Sequence, residues 1–268
     1  MLRKLYKYEF SSLYRIMLPM YAVLFGISGL TRLLSLFSKK ADSALEVWKN
    51  LTVSLSIVTI VGIFVVGIVV IVVRFYQNLL SKQGYLTNTL PFKAHNHIVC
   101  KLICGLVVEF TNAVATVLSL TIMLGTKKTL SEIFEVLKYS FDSFVDATGK
   151  VNAYASIIEL AVLLVFCVAV SLMMFYASMA IGQQFKNKIL GSVIAYFCIY
   201  TAIQVINTVI LVISMISGFR LTDSLIKNAS FTALSQGFII FLFIIVLIQG
   251  IIYFLITNYF LSKKLNLE

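Results

Sequence analysis

The run LTVSLSIVTIVGIFVVGIVVIVV, residues 51–73, carries no charged side chain, and it ends abruptly at RFYQNLLSKQGYLTNTLPFKAHNHIVCK, residues 74–101. A helix rises about 1.5 Å per residue, so a hydrocarbon layer about 30 Å thick needs about 20 apolar residues to be crossed. The first stretch is long enough. The second contains no Asp or Glu, while Arg74, Lys82, Lys93 and Lys101 give it fixed positive charge, and His95 and His97 are the chain's two histidines. Such a profile at the end of a span suits a cytoplasmic loop. RFYQNLLSK can continue a helix out of the membrane, Gly84 can take the left-handed geometry that ends it, and Pro91 breaks whatever short turn residues 85–90 make. The pattern is helix, stop, short helix, stop: a folded hinge between two spans, suited to docking another protein.

Outward from this pair, the composition has the same character. Hydrophobic residues make up 60% of the 268 and charged residues 12%, with a mean hydropathy of +0.98, far from the balance of soluble domains. Six apolar runs are long enough to span: 16–37, 51–73, 98–124, 154–181, 189–217 and 237–261. The expected fold is all-α, a polytopic membrane protein with six transmembrane helices in one domain covering 1–268.

Residues 1–15 alternate charged and apolar positions and are followed by no small-residue cleavage site, so they are not read as a signal peptide. Leu2, Leu5, Tyr6, Phe10, Leu13, Tyr14 and Met17 fall on one helical face and Arg3, Lys4, Lys7, Ser11 and Arg15 on the other, which predicts an interfacial helix lying on the membrane. Glu9 interrupts the apolar stripe. It either pairs with a neighbouring lysine or faces a partner protein. Pro19 is expected in the first turn of its span, where a missing amide hydrogen costs little.

RFYQNLL, then GYLTNTLP, then a polar stretch and a lysine opening an apolar run, resembles the cytoplasmic loop of permease subunits of type-two ABC exporters, especially the small six-span permeases of Gram-positive bacteria. The amino-terminal LRKLYKYEF and the carboxy-terminal KKLNLE are similar to the ends of the same proteins. The resemblance implies a dimer of six-span subunits, homo- or heterodimeric, with separate ATP-hydrolysing subunits beneath. It makes Gln83, Gly84, Tyr85, Leu86, Thr87 and Pro91 the coupling helix between spans two and three, and residues 1–15 the interfacial elbow.

Orientation follows from that loop. Both termini are expected in the cytoplasm of a bacterial cell membrane, with 74–101 inside and 125–152 outside. Twelve of the 22 basic residues then lie inside and ten outside, an even split, whereas the acids of loops and ends lean outward, with Glu9 and Glu268 alone inside. The net charge of +11 sits at span ends, where anionic headgroups attract it. No basic, aromatic-interleaved soluble domain points to nucleic acid. In the outer segment, residues 131–144 carry Ile133, Phe134, Val136, Leu137, Phe141 and Phe144 between charged positions, a pattern for a short amphipathic helix that serves as a lid or as a substrate-facing gate.

Within the spans, Ala22 with Gly26, Gly62 with Gly67, and Gly191 with Ala195 offer surfaces where backbones can approach. Arg32 can snorkel near an outer end. Glu109 lies eight residues beyond Lys101, about 12 Å deeper, where an ionisable group is costly. Asn112 follows on the same face. The pair either lines a translocation path or dimer seam, or fixes packing. Glu159, nearer an outer end, is expected to meet water or an outer-loop lysine.

Catalytic constellations are missing from the sequence. No GxxxxGK[ST] occurs, so this chain binds no ATP through a P-loop, and there is no HExxH and no paired carboxylates. No cofactor or metal is expected. His95 and His97 are read as solvated loop residues, and Cys100, Cys104, Cys167 and Cys198 as reduced, small apolar residues in spans. The expected function is therefore the permease subunit of an ATP-driven exporter whose ATPase is another chain. A non-transporting membrane scaffold or immunity protein is the alternative, ahead of a membrane enzyme or a secondary transporter.

Overall fold

The computed structural model describes residues 2–37, 43–80, 94–125, 127–225 and 231–263. Seven α-helices account for nearly all of them: α1 (Leu2–Phe37), α2 (Ser43–Phe75), α3 (Ala94–Leu124), α4 (Lys127–Thr148), α5 (Lys150–Gly182), α6 (Lys188–Leu225) and α7 (Phe231–Lys263). No strand occurs among the described residues. Six of the helices are long and apolar enough to cross a membrane, as the hydropathy of the sequence predicts.

Valine and isoleucine crowd α2, although both are mediocre helix formers in water. In hydrocarbon the choice is different: a backbone amide has no water to turn to, so an isolated span satisfies its polar groups as a helix whatever its side chains.

One boundary differs from expectation. Residues 2–37 form a single helix of 36 residues with Pro19 inside it, so no separate interfacial helix is set off before the first span. At about 1.5 Å per residue it is about 54 Å long, well over the hydrocarbon thickness. Pro19 is thus interior and leaves the Arg15 carbonyl without its helical donor, rather than sitting in a first turn.

α2 continues past the apolar run 51–73, as the RFYQNLLSK sequence allows. It passes into a π-helical turn, Tyr76–Leu80, a local widening of the helix found often at functional positions. Between α4 and α5 the chain turns at Gly149, whose φ of 79° is open to glycine and strained for other residues. α4 covers the amphipathic segment expected over 131–144 and is longer than predicted, at 22 residues.

The chain divides into two compact units, Met1–Arg74 with Val99–Phe141, and Phe75–Ile98 with Asp142–Glu268. In the first, partners on α1 and α3 rise together along both helices: Glu9 with Lys101, Tyr14 with Thr111, Tyr21 with Asn112, Ser28 with Ser119 and Arg32 with Gly125. The two helices therefore run parallel. Contacts of α2 descend instead, with Ser56 beside Thr31 and Gly67 beside Glu109, so α2 runs against both. The starts of α1 and α3 and the end of α2 lie at one end of this unit.

The second unit is built on α5. Phe166 meets Phe243 of α7 edge-on at 5.1 Å, and Phe175 stacks on Tyr196 of α6 at 4.7 Å. Gln249 donates to the Asn207 side-chain oxygen at 2.7 Å. The turn from α5 to α6 is tight: a Cβ on Gly182 would overlap Ser192, and one on Gly191 would lie 2.7 Å from Phe185. Gly26 and Gly62, by contrast, have nothing within 4 Å of a Cβ position and are not close-packing points as expected.

Candidate functional site

The segment expected to dock a partner, with Gln83, Gly84, Tyr85, Leu86, Thr87 and Pro91, lies outside the described residues. Its two roots are described, and both are built into the second unit. Phe75, Leu79 and Ile98 are fully buried and Leu80 almost so. Phe75 stacks face to face on Tyr176 of α5, ring centroids 4.1 Å apart. Burying large apolar side chains contributes about 1.5–3 kcal/mol each, so the roots are held by packing. His97 is part of that packing. It is 3% exposed, a buried residue and not the solvated loop histidine expected; His95 is exposed, as expected.

The second candidate, Glu109 with Asn112, lies in the first unit on the face of α3 that meets α1 and α2. Asn112 Nδ2 donates to Glu109 Oε2 at 3.4 Å, and the Tyr21 hydroxyl donates to Asn112 Oδ1 at 2.6 Å. Glu109 is 8% exposed and Asn112 fully buried. Opposite them α2 presents Gly67. A Cβ there would lie 2.5 Å from Asn112 Nδ2 and 3.0 Å from Glu109 Oε1, so the absence of a side chain admits both. Glu109 Oε1 has no hydrogen-bond partner among the described residues. A buried carboxyl oxygen left in this state is costly and marks the polar centre of the unit.

A ladder of hydrogen bonds extends from this centre along the helices. The Tyr14 and Thr111 hydroxyls are 2.6 Å apart, those of Ser28 and Ser119 also 2.6 Å, and those of Thr31 and Ser56 3.1 Å. Arg32, expected to snorkel, donates to the Gly125 carbonyl at 2.6 Å and so satisfies a backbone group just past the end of α3. At the opposite end Lys101 donates to Glu9 Oε1 at 2.7 Å and to the Arg74 carbonyl at 3.4 Å. Glu9 does pair with a lysine, but one 92 positions away and not a neighbour in its own helix.

The sequence points to Glu109 and Asn112, and to Gly67 only as a packing surface, but not to Tyr21 or the serine pair. A signal was present. Tyr14, Tyr21 and Ser28 recur every seven residues on α1, as Asn112 and Ser119 do on α3, the period that keeps one seam facing a neighbouring helix.

Glu159 is half-exposed, and one of its carboxyl oxygens, Oε2, is enclosed with no hydrogen-bond partner among the described residues. All four cysteines are free. Among the described residues no cluster of three or more His, Cys, Asp or Glu could hold a metal ion. No protein-family profile, curated protein or solved structure matches the chain.

Proposed function

We propose that this chain is the membrane-spanning permease subunit of an ATP-driven exporter of the type-two ABC class, working as a dimer above separate ATPase subunits in a bacterial cell membrane, termini in the cytoplasm. The observation that carries the reading is the burial of the residues that flank 81–93, a segment whose basic, hinge-like sequence resembles the coupling loop of those permeases. Both of its roots are fixed by buried side chains, Phe75, Leu79 and Leu80 on one side and Ile98 on the other. A push on a segment so rooted passes into packed helices instead of being lost in a loose loop. Packed helix pairs respond to such a push by shifting between discrete arrangements, and α5 receives it first through the Phe75–Tyr176 stack.

The common end shared by the starts of α1 and α3 and the end of α2 agrees with an amino terminus on the same side as this loop. Glu109 and Asn112 then form a polar point in the transport unit, one that can be exposed only when α1–α3 rearrange. The test is gentle solubilisation from native membranes: a P-loop ATPase should co-purify, and its absence contradicts the reading.

A second reading, a non-transporting membrane scaffold or immunity protein, is favoured by the burial of Glu109 and by the ladder that ties α1 to α3. ATP-dependent movement of a substrate across vesicles carrying the complex separates the two, since a scaffold moves nothing.

A further inference from the structure

α4 is too charged to cross a membrane, yet one side of it is apolar. Leu130, Ile133, Phe134, Leu137, Phe141 and Phe144 follow at intervals of three, one, three, four and three, a single stripe on a helix. Glu132, Glu135, Asp142 and Asp146 lie on the other side. All of the stripe but Phe141 is exposed, Phe134 by 69% and Leu137 by 63%, and every residue from 131 to 140 is exposed whichever way it faces. An isolated helix of this length is marginal in water, so the apolar side calls for a cover other than water.

Connectivity says what that cover is. The helices on either side of α4, α3 and α5, are both long and apolar enough to cross a membrane. Gly125 and Thr126 alone separate α3 from α4 in the chain, and Gly149 alone separates α4 from α5. Both joints are tied by hydrogen bonds. Arg32 of α1 donates to the Gly125 carbonyl at 2.6 Å. The Gly149 amide donates to the Val145 carbonyl at 2.7 Å, and the Gly149 carbonyl accepts from the Ala153 amide at 2.9 Å. Joints this short keep both ends of α4 in the interfacial layer of the one membrane face at which α3 ends and α5 begins. A helix about 33 Å long with both ends in that layer lies along it and does not stand up into water.

We propose that α4 is an interfacial helix, with its stripe sunk among lipid acyl chains at that membrane face and its charged side turned to water. Phenylalanine and leucine suit such a site, about 5–10 Å into the boundary between headgroups and acyl chains. Lys127, Lys128 and Lys138 against four acids leave α4 nearly neutral, so apolar burial holds it and attraction to anionic headgroups does not; zwitterionic lipid suffices. The inference rests on the spans and not on the permease reading. A lid or gate would turn the same stripe toward protein, a difference that can be measured.

The experiment uses the full chain in phosphatidylcholine vesicles. Trp48, the single tryptophan, is replaced by Phe, and one tryptophan is returned at a time, as Phe134→Trp or Leu137→Trp on the stripe and Glu135→Trp or Asp142→Trp on the charged side. The stripe variants should emit at shorter wavelength, lose most of their emission to lipids brominated along the acyl chain and keep it in acrylamide; the other two should do the reverse. Adding phosphatidylglycerol should change neither pattern. Acrylamide quenching of the stripe would place it in water, and protection from both quenchers would place it against protein, the chain's own spans or a second copy. Either result overturns the proposal, as does lipid quenching that needs phosphatidylglycerol. Nitroxides on Phe134→Cys and Glu135→Cys, in a chain whose four native cysteines are replaced by Ala, repeat the comparison without a tryptophan. Oxygen should reach the first and a water-soluble nickel chelate the second, and equal access at both counts against the proposal.

Discussion

Lys101 of α3 meets Glu9 of α1 at 2.7 Å, with the two side chains only 8% and 11% exposed. This pair closes one end of the α1–α3 seam, and Lys101 also reaches the Arg74 carbonyl at the end of the first unit's part of α2. Removing one partner leaves a charge enclosed, whereas removing both leaves two neutral groups. Lys101→Met alone should therefore cost about 3–5 kcal/mol of stability, and Glu9→Gln added to it should restore a large part. Melting of both variants in the same detergent checks this; equal losses would mean that the pair is not coupled.

Gly67 admits Asn112 and Glu109 to the surface of α2. Gly67→Ala would bring a methyl group to 2.5 Å from Asn112 Nδ2, so the buried Asn112–Glu109 pair would have to turn aside or the helices to separate, at about 1–3 kcal/mol. Gly62→Ala, with open space at its Cβ, should be neutral or gain up to about 1 kcal/mol from helix propensity. Thermal melting of the two single variants decides it, and a Gly67→Ala protein as stable as Gly62→Ala would show that the approach is not tight.

Glu109→Gln keeps the shape of the side chain and removes its ionisable group. The variant should insert and melt like the parent, while transport in vesicles loses its dependence on pH or falls outright. Transport unchanged at every pH would leave Glu109 with a packing role alone.

Topology is open to labelling. Cysteines placed in 127–150 should react with an impermeant reagent from outside, and those in 81–97 only after the membrane is permeabilised. The reverse pattern would overturn both the orientation and the docking role of the loop.

The spans could be read from sequence because hydrocarbon imposes a single requirement, length of apolar helix, that hydropathy measures directly. What hydropathy does not measure is where a helix continues past the membrane. Alternating charge and an amphipathic stripe set residues 1–15 apart from the first span, yet the apolar stripe from Leu2 to Met17 continues in helical register into the span, and Pro19 removes only one amide donor. Glu9 shows a different limit: spacing along one helix reveals neighbours at three and four residues, and its partner Lys101 comes from another helix. The basic, polar context of His97 suggests water, while its position beside Ile98 on the first turns of α3 buries it. Glu109 with Asn112 was legible because an acid in an apolar run has few explanations. Gly67 was not, since a glycine in a span shows what it admits only when the facing helix is known.

The central claim is that the 81–93 segment docks a separate ATPase. Gly84 and Pro91 would set its shape, and Tyr85 and Leu86 would fill a groove in the partner as apolar anchors. The double change Tyr85→Ala with Leu86→Ala should abolish ATPase co-purification and uncouple hydrolysis from transport, while the melting temperature of the isolated chain stays within about 2 °C of the parent, the scale of a stability change under about 1 kcal/mol. Measured on the same preparations, normal co-purification with fully coupled transport would contradict the account.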